Sequence, residues 1–185
     1  ASDVYKRQVR KEITSKCGQK CTAIRRVIVP ENLMEDVQIA LGKQLERTVI
    51  GDPKLREVRM GALINNDQRD AIKTQIDKIA QTADMVYGST DTIEAMGADG
   101  AKGAFMSPIV MRENNPFKNT QVHEIEAFGP VTTLMPYNGV EEAIELAQMG
   151  KGSLVSSVVT ADDAFAKAYT IEAVSYTNLR AHETR

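Results

Sequence analysis

Two cysteines four residues apart lie in a basic run, KCGQKCTAIRR (residues 16–26), of a 185-residue chain. Cations beside a thiol stabilise its thiolate, lower its pKa and make it the attacking species, so Lys16, Lys20, Arg25 and Arg26 mark Cys21 as a candidate nucleophile. Other chemistries stay open on these residues alone. A free cysteine is most often a buried, inert thiol. Four-residue spacing suits two metal ligands on one helical face, but no second ligand pair follows, and a closed zinc site wants four. No metal is expected. A Cys17–Cys21 disulfide is sterically conceivable but disfavoured in a reducing compartment. A cysteine–histidine hydrolase would need His123 as its base, and nothing in the sequence brings His123 to Cys21. Glu126 and Phe128, far along the chain, read on their own as a surface carboxylate and a packed aromatic.

The elements that must position these residues alternate between strand and helix signals. RRVIVP (25–30) is a β-rich run stopped by Pro30. Asn32 and Glu35 are spaced as an N-cap and capping box, and Leu33, Val37, Leu41 and Leu45 then recur at helical spacing. Gly42 inside that pattern signals a bend or a close neighbour, and GDP (51–53) an exit turn. Asn65 with Gln68 opens a second helix, whose stripe is Ile72, Ile76, Ile79, Ala80 and Ala83. DMVYG (84–88) is a strand, and residues 89–102 a loop. AFMSPIVM (104–111) reads as an edge strand because Pro108 cannot donate to a ladder. PVTTLMPY (130–137) is a strand, Val140, Ala143, Ile144 and Ala147 outline a helix ended by GKG, SLVSSVVT (153–160) is a strand, and residues 161–173 are a last helix. Such alternation implies crossover connections, and hence an α/β fold with a mostly parallel sheet flanked by helices.

Composition bounds the function. The chain is 42% hydrophobic and 26% charged with a net charge of −2, which gives a nucleic-acid role no electrostatic support. No apolar run reaches bilayer length, and the N-terminus lacks an apolar signal segment, so no membrane partner is expected and the cytoplasm is the default compartment. Both ends look foreign to the middle. SDVYKRQ (2–8) and SYTNLRAHETR (175–185) resemble translated sequencing-adapter read-through, the alternative being ordinary disordered or helical tails. Residues 1–8 and 175–185 are thus set aside as non-native, and 9–174 are taken as a natural segment cut at both ends.

Five blocks then acquire a common meaning. GQKCTA (18–23) resembles the G-Q-x-C active-site motif of the NAD(P)-dependent aldehyde dehydrogenase superfamily, and EAFGPV (126–131) is similar to its E-x-F-G-P motif. VIGDP (49–53), MGALIN (60–65) and GAFMSPIV (103–110) fall between or beside them in the family's order. The runs KEITSKCGQKCTAIRRVIVP and EAFGPVTTLMPY closely resemble the subgroup that oxidises a CoA-linked semialdehyde in phenylacetate degradation. The resemblance implies that Cys21 attacks an aldehyde carbonyl, with its own backbone N–H holding part of the oxyanion. It implies that Glu126 hydrogen-bonds the nicotinamide-ribose hydroxyls of NAD or NADP and that Phe128 packs beside the nicotinamide. Gly18 and Gly129 would serve a turn or a close approach, and Cys17 would be a small packed hydrophobe. The substrate would be a small-molecule aldehyde, CoA-linked in the finer match, and the parent enzyme a homo-oligomer.

The departures shape a further expectation. The family's E-L-G-G general-base motif, the side-chain amide of its oxyanion hole and its dinucleotide-binding domain would lie upstream of Gly18, and further catalytic and oligomerisation segments after Val174. The chain is therefore expected to be part of a catalytic domain, inactive alone. The alternatives are a generic aldehyde dehydrogenase segment of other substrate class, or an inert truncated relative that binds or scaffolds.

Overall fold

A computed structural model of the chain describes residues 2–151, 153–173 and 178–183, with the backbone alone for residues 2–4 and 178–183. The β-branched run RVIVP forms strand β1 (Arg26–Pro30), as its pattern predicts. It pairs in parallel with β4 (Val131–Tyr137), with Arg26 opposite Thr133 and Pro30 opposite Tyr137. On its other side β4 pairs in parallel with β3 (Ile109–Arg112). An antiparallel β2 (Asp84–Tyr87) closes the order β1-β4-β3-β2, with a register shift between Met85 and Tyr87. The sheet is thus mostly parallel, as the strand–helix alternation implied. A second, two-stranded parallel sheet joins β5 (Val155–Thr160) to β6 (Asn178–Glu183).

Helices cover both faces of the four-stranded sheet, because its strands are apolar on both sides. Ile109, Met111, Val131 and Met135 face a cluster with Ile72, Ile76 and Ile79 of helix α3 (Asn66–Ile79). Val110, Leu134 and Val29 face the opposite cluster, with Val9 and Ile13 of α1 (Ser2–Thr14) and Val37, Leu41 and Leu45 of α2 (Met34–Leu45). The alternation along β3 and β4 is the two-residue period of the pleat. A smaller cluster joins Ile144 of α5 (Gly139–Gln148), Val158 of β5 and Tyr169 of α6 (Asp163–Glu172).

The Asn65 cap forms as expected: its side chain accepts the Gln68 N–H at 2.8 Å. Gly42 has the close neighbour its position signalled, for a Cβ there would stand 3.3 Å from the Tyr87 ring. Four expectations need correction. Asn32 does not cap α2; it lies within a 3₁₀ turn, Glu31–Leu33, that follows Pro30 directly, and α2 starts at Met34 without a side-chain cap. Leu33 is accordingly exposed, and Met34 takes the buried position. The strand expected over residues 104–111 is not an edge. It begins at Ile109, after the proline, so the missing N–H interrupts no ladder bond, and β3 keeps neighbours on both sides. Residues 51–53 are not the exit turn of α2, which ends at Leu45. They form backbone bridges instead, Gly51 N–H donating to Met60 at 3.1 Å and Asp52 N–H to Met96 at 2.9 Å. Ala80 is exposed just past the end of α3.

Residues 5–8 continue into the same helix as Val9 and Ile13. At the other end, Val174 and residues 175–177 and 184–185 of the expected tail lie outside the described residues, as does Gly152 of the GKG stop. Among the described residues no helix is long and apolar enough to cross a membrane.

Candidate active site

The segment before Cys21 turns sharply. After α1 the chain makes a 3₁₀ turn, Ser15–Gly18, in which Lys16, Cys17 and Gly18 have φ of 52°, 53° and 68°. Left-handed backbone is natural for glycine and strained for the other two. This turn buries Cys17 and leaves Cys21 exposed, and both cysteines are free thiols. Cys17 is 3% exposed within the α3-side core, and its Sγ donates to the Gly61 carbonyl at 2.9 Å. Burial pushes its pKa up to about 11. It is the packed thiol that the resemblance implied.

The turn also fixes the motif segments against one another. A Cβ on Gly18 would overlap the Gly129 carbonyl, standing 2.5 Å from its carbon and closer to its oxygen. The GQKC and EAFGP segments, more than a hundred residues apart in the chain, therefore meet backbone to backbone. Phe128, immediately before that contact, has φ of 52°. Strained backbone of this kind persists only where the surroundings over-determine it, and it gathers at functional sites. Gln19 accepts the Ile64 N–H through its side-chain oxygen at 3.0 Å, which ties the nucleophile turn to the MGALIN block. Leu63 N–H donates to Ala104 at 2.9 Å and Ile109 N–H to Pro130 at 2.7 Å. The blocks that resembled a family thus form one connected layer.

Cys21, Glu126 and Phe128 line one cleft of about 1060 Å³, together with residues of β1, β5 and α6. Glu126 is exposed, and its carboxylate has no partner among the described residues; Phe128 is 43% exposed. A free carboxylate beside an open aromatic face has the acceptor capacity and the apolar surface to take a polyhydroxylated ring and a flat heterocycle. The pair therefore fits a nicotinamide nucleotide. The Cys21 backbone N–H donates to no described group.

Three of the four cations that made Cys21 a candidate, Lys20, Arg25 and Arg26, are engaged otherwise. Lys20 is ion-paired with Glu12. The Arg25 guanidinium donates to the carbonyls of His123, Ile125 and Gly150, and that of Arg26 to those of Leu146 and Ala147. Cys21 is singled out by its exposure and its place at the cleft rather than by the charges of Lys20, Arg25 and Arg26. The hydrolase alternative also loses its base. His123 is buried, with Nε2 held at 2.8 Å from the Pro116 carbonyl and Nδ1 at 3.0 Å from Arg26. Sequence reasoning missed the structural work of Gln19, Arg25, Arg26 and Gly150, and the short helix α4 (Gln121–Glu124) that precedes Glu126. The double arginine was visible, but only as charge.

Comparison with known proteins adds the following. A family model described as "Aldehyde dehydrogenase family" matches residues 3–179. The chain is 35% identical over 163 residues to the 3,4-dehydroadipyl-CoA semialdehyde dehydrogenase of Aromatoleum evansii, an alignment covering 88% of this chain and 32% of that protein. The chain thus spans about a third of the length of the curated relatives it matches. Among solved structures, a betaine aldehyde dehydrogenase from Staphylococcus aureus superposes with a TM-score of 0.85 at 22% identity, over all of this chain and 36% of that one. Aldehyde dehydrogenase C of Pseudomonas syringae, solved with NAD+ and octanal, gives a TM-score of 0.83 at 22% identity, over 98% of this chain and 37% of that one. At those identities the structures speak to the fold, which they share with this chain over nearly its whole length.

Proposed function

The chain belongs to the aldehyde dehydrogenase family, and on that premise we propose that residues 9–174 are part of the catalytic domain of an NAD(P)-dependent enzyme that oxidises a CoA-linked semialdehyde in phenylacetate catabolism. The observation that carries the reading is the backbone contact of Gly18 with Gly129, which sets Cys21 in the same cleft as Glu126 and Phe128.

The roles follow from what each group can do. The Cys21 thiolate adds to the aldehyde carbon; a C–S bond forms and the carbonyl π pair moves to oxygen. The free Cys21 N–H donates to that oxygen, and one such donor is typically worth about 10²–10³ in rate. A bound nicotinamide coenzyme supplies the hydride acceptor. Glu126 would accept hydrogen bonds from its ribose hydroxyls, and Phe128 would offer an apolar ring beside the nicotinamide. Loss of hydride from the former aldehyde carbon leaves a thioester on Cys21, and water then releases the acid and restores the thiol. The CoA-linked substrate is supported by the similarity to the Aromatoleum evansii enzyme and by the KCTAIRR run. A cytoplasmic location and a homo-oligomeric parent belong to the same proposal.

The test is a chimera in which this chain replaces the aligned third of that relative, assayed with a CoA-linked semialdehyde at 340 nm with NAD or NADP. Turnover is expected, with Cys21→Ala removing it. Glu126→Gln should slow it mainly through coenzyme positioning. A Cys21→Ala chimera that retains the parent rate would show that the nucleophile lies elsewhere.

A further inference from the structure

Arg25 follows Cys21 by four residues, and Arg26 opens β1. Arg25 Nη1 donates to the carbonyls of His123 and Ile125 at 3.0 and 3.3 Å, and Nη2 to that of Gly150 at 3.2 Å. Arg26 Nη1 donates to the Leu146 carbonyl at 2.6 Å and meets His123 Nδ1 at 3.0 Å, and Nη2 donates to Ala147 at 3.1 Å. Leu146 and Ala147 lie in the last turn of α5, the negative end of the helix dipole, where the Ala147 carbonyl also accepts the Gly150 N–H at 3.1 Å. At Gly150 any side chain would overlap the Arg26 guanidinium. The two arginines therefore join three segments: the turn that leads into Glu126, the end of α5, and the start of β1 just after Cys21.

The partners of His123 settle its protonation. A carbonyl only accepts, so Nε2 carries the proton it gives to Pro116. An arginine only donates, so Nδ1 is a bare acceptor. The ring is neutral and 3% exposed.

We infer that Arg25 and Arg26 are positioning residues that hold the 126–128 segment at a set distance from Cys21, with His123 as the neutral acceptor that completes the clamp. The inference rests on the assignment of Glu126 and Phe128 to the coenzyme. Neither arginine is required to touch substrate.

The clamp has a built-in response to acid. His123 faces Arg25 and Arg26 from the start of β1, Glu113 from the end of β3, and the Pro116 carbonyl. Its pKa lies below the ordinary 6.5, chiefly through burial, with both arginines acting in the same direction against the Pro116 bond and Glu113. A second ring proton would set N–H against N–H at Arg26 and place two cations in contact. The folded form binds the proton less readily than the unfolded one, so the clamp is whole above about pH 6.5 and weakens as pH falls through the lower folded value.

Hydrogen exchange on the full 185-residue chain tests this, with amides of residues 124–129 normalised to those of β4 in the same sample. Normalisation removes the intrinsic pH dependence of exchange. Arg25→Lys and Arg26→Lys replace a planar fork by a point donor. Each should speed exchange in residues 124–129 by about tenfold to a hundredfold near neutral pH, leaving β4 unchanged. The unsubstituted chain should show the same acceleration as the pH is lowered from about 8 through the depressed His123 pKa. His123→Gln, which has no proton to gain, should give a flat profile. Where Arg26→Lys unfolds the chain the β4 amides report it, and Arg25→Lys with the pH series decides. Unchanged exchange in Arg25→Lys, or a flat profile in the unsubstituted chain, overturns the inference. No aldehyde or nicotinamide enters this measurement, so failure of the dehydrogenase reading would appear only in the Cys21→Ala chimera.

Discussion

Replacing Gly18 by alanine tests the contact on which the site depends. Two separate costs arise. Gly18 has φ of 68°, and an L-residue in that conformation loses about 1–2 kcal/mol. The new Cβ would lie 2.5 Å from the Gly129 carbonyl carbon, where real side-chain carbons essentially never come within 3.0 Å. The opposing atom is backbone and cannot rotate away, and Gly129 is itself backed by Ile72, whose Cδ1 lies 2.7 Å from where a Cβ on Gly129 would be. Overpacking of this kind typically costs about 1–3 kcal/mol. The sum is about 2–5 kcal/mol, which should lower the urea midpoint of the 185-residue chain by roughly 1 M or more, followed by far-UV circular dichroism. Gly61→Ala is the control. Its Cβ would meet nothing nearer than Pro53 at 3.9 Å and its φ is ordinary, so its effect should stay within about 1 kcal/mol of zero. A Gly18→Ala midpoint equal to that of Gly61→Ala would mean that the two motif segments do not meet as described, and the placement of Cys21 beside Glu126 would fall with it.

Limiting iodoacetamide near neutral pH should label Cys21 far ahead of Cys17, because Cys17 is buried with a thiol pushed up to about 11; adduct mapping showing Cys17 first would reverse the assignment of the two thiols. The same burial makes a stability prediction. Cys17 ionises from 9.0 when free of the fold and from about 11 within it, so its contribution is complete below about pH 9 and is lost as pH rises through 11, at roughly 1.4 kcal/mol per pH unit. Cys17→Ala should remove that slope, and identical urea midpoints against pH for the two proteins would refute it. Asn65→Ala removes the side-chain bond to the Gln68 N–H and should destabilise the chain by about 1 kcal/mol, measured in the same unfolding assay; no change would show that the cap contributes nothing.

The sequence was most informative where one residue decides a local outcome. Asn65 lies three residues before an amide that needs an acceptor, and the cap forms. Isoleucines at 72, 76 and 79 share one face of a helix and are buried together. Reading failed where the outcome depends on a neighbour distant in the chain. Pro108 suggests an edge only until β4 and β2 are known to flank a strand that starts one residue later. Asn32 looks like a cap until the chain is seen to curl directly after Pro30. Helix α1 carries a polar sequence, and only its packing on α2 through Val9 and Ile13 makes it visible. At the site, Cys21, Glu126 and Phe128 were legible through resemblance, and the comparisons bear out the family rather than the individual roles. Arg25 and Arg26 were read as charges acting on a thiol, because no sequence pattern shows which carbonyls a guanidinium will find.

The place of β4 at the centre of the sheet has a consequence for how the protein is made. β1 is the first of the four strands to be synthesised, yet its strand partner in the four-stranded sheet begins at Val131, with Arg26 opposite Thr133. At about 5–20 residues per second, the hundred or so residues between them take roughly 5–20 s to emerge. Through that interval Val27, Ile28 and Val29 form an unpaired apolar edge, and the Cys21 thiol stands beside a cleft that does not yet exist. Because the strand that joins β1 to β3 is the last of the four to be translated, the nascent chain carries an exposed sulfur and an aggregation-prone strand together until Gly129 arrives to close on Gly18.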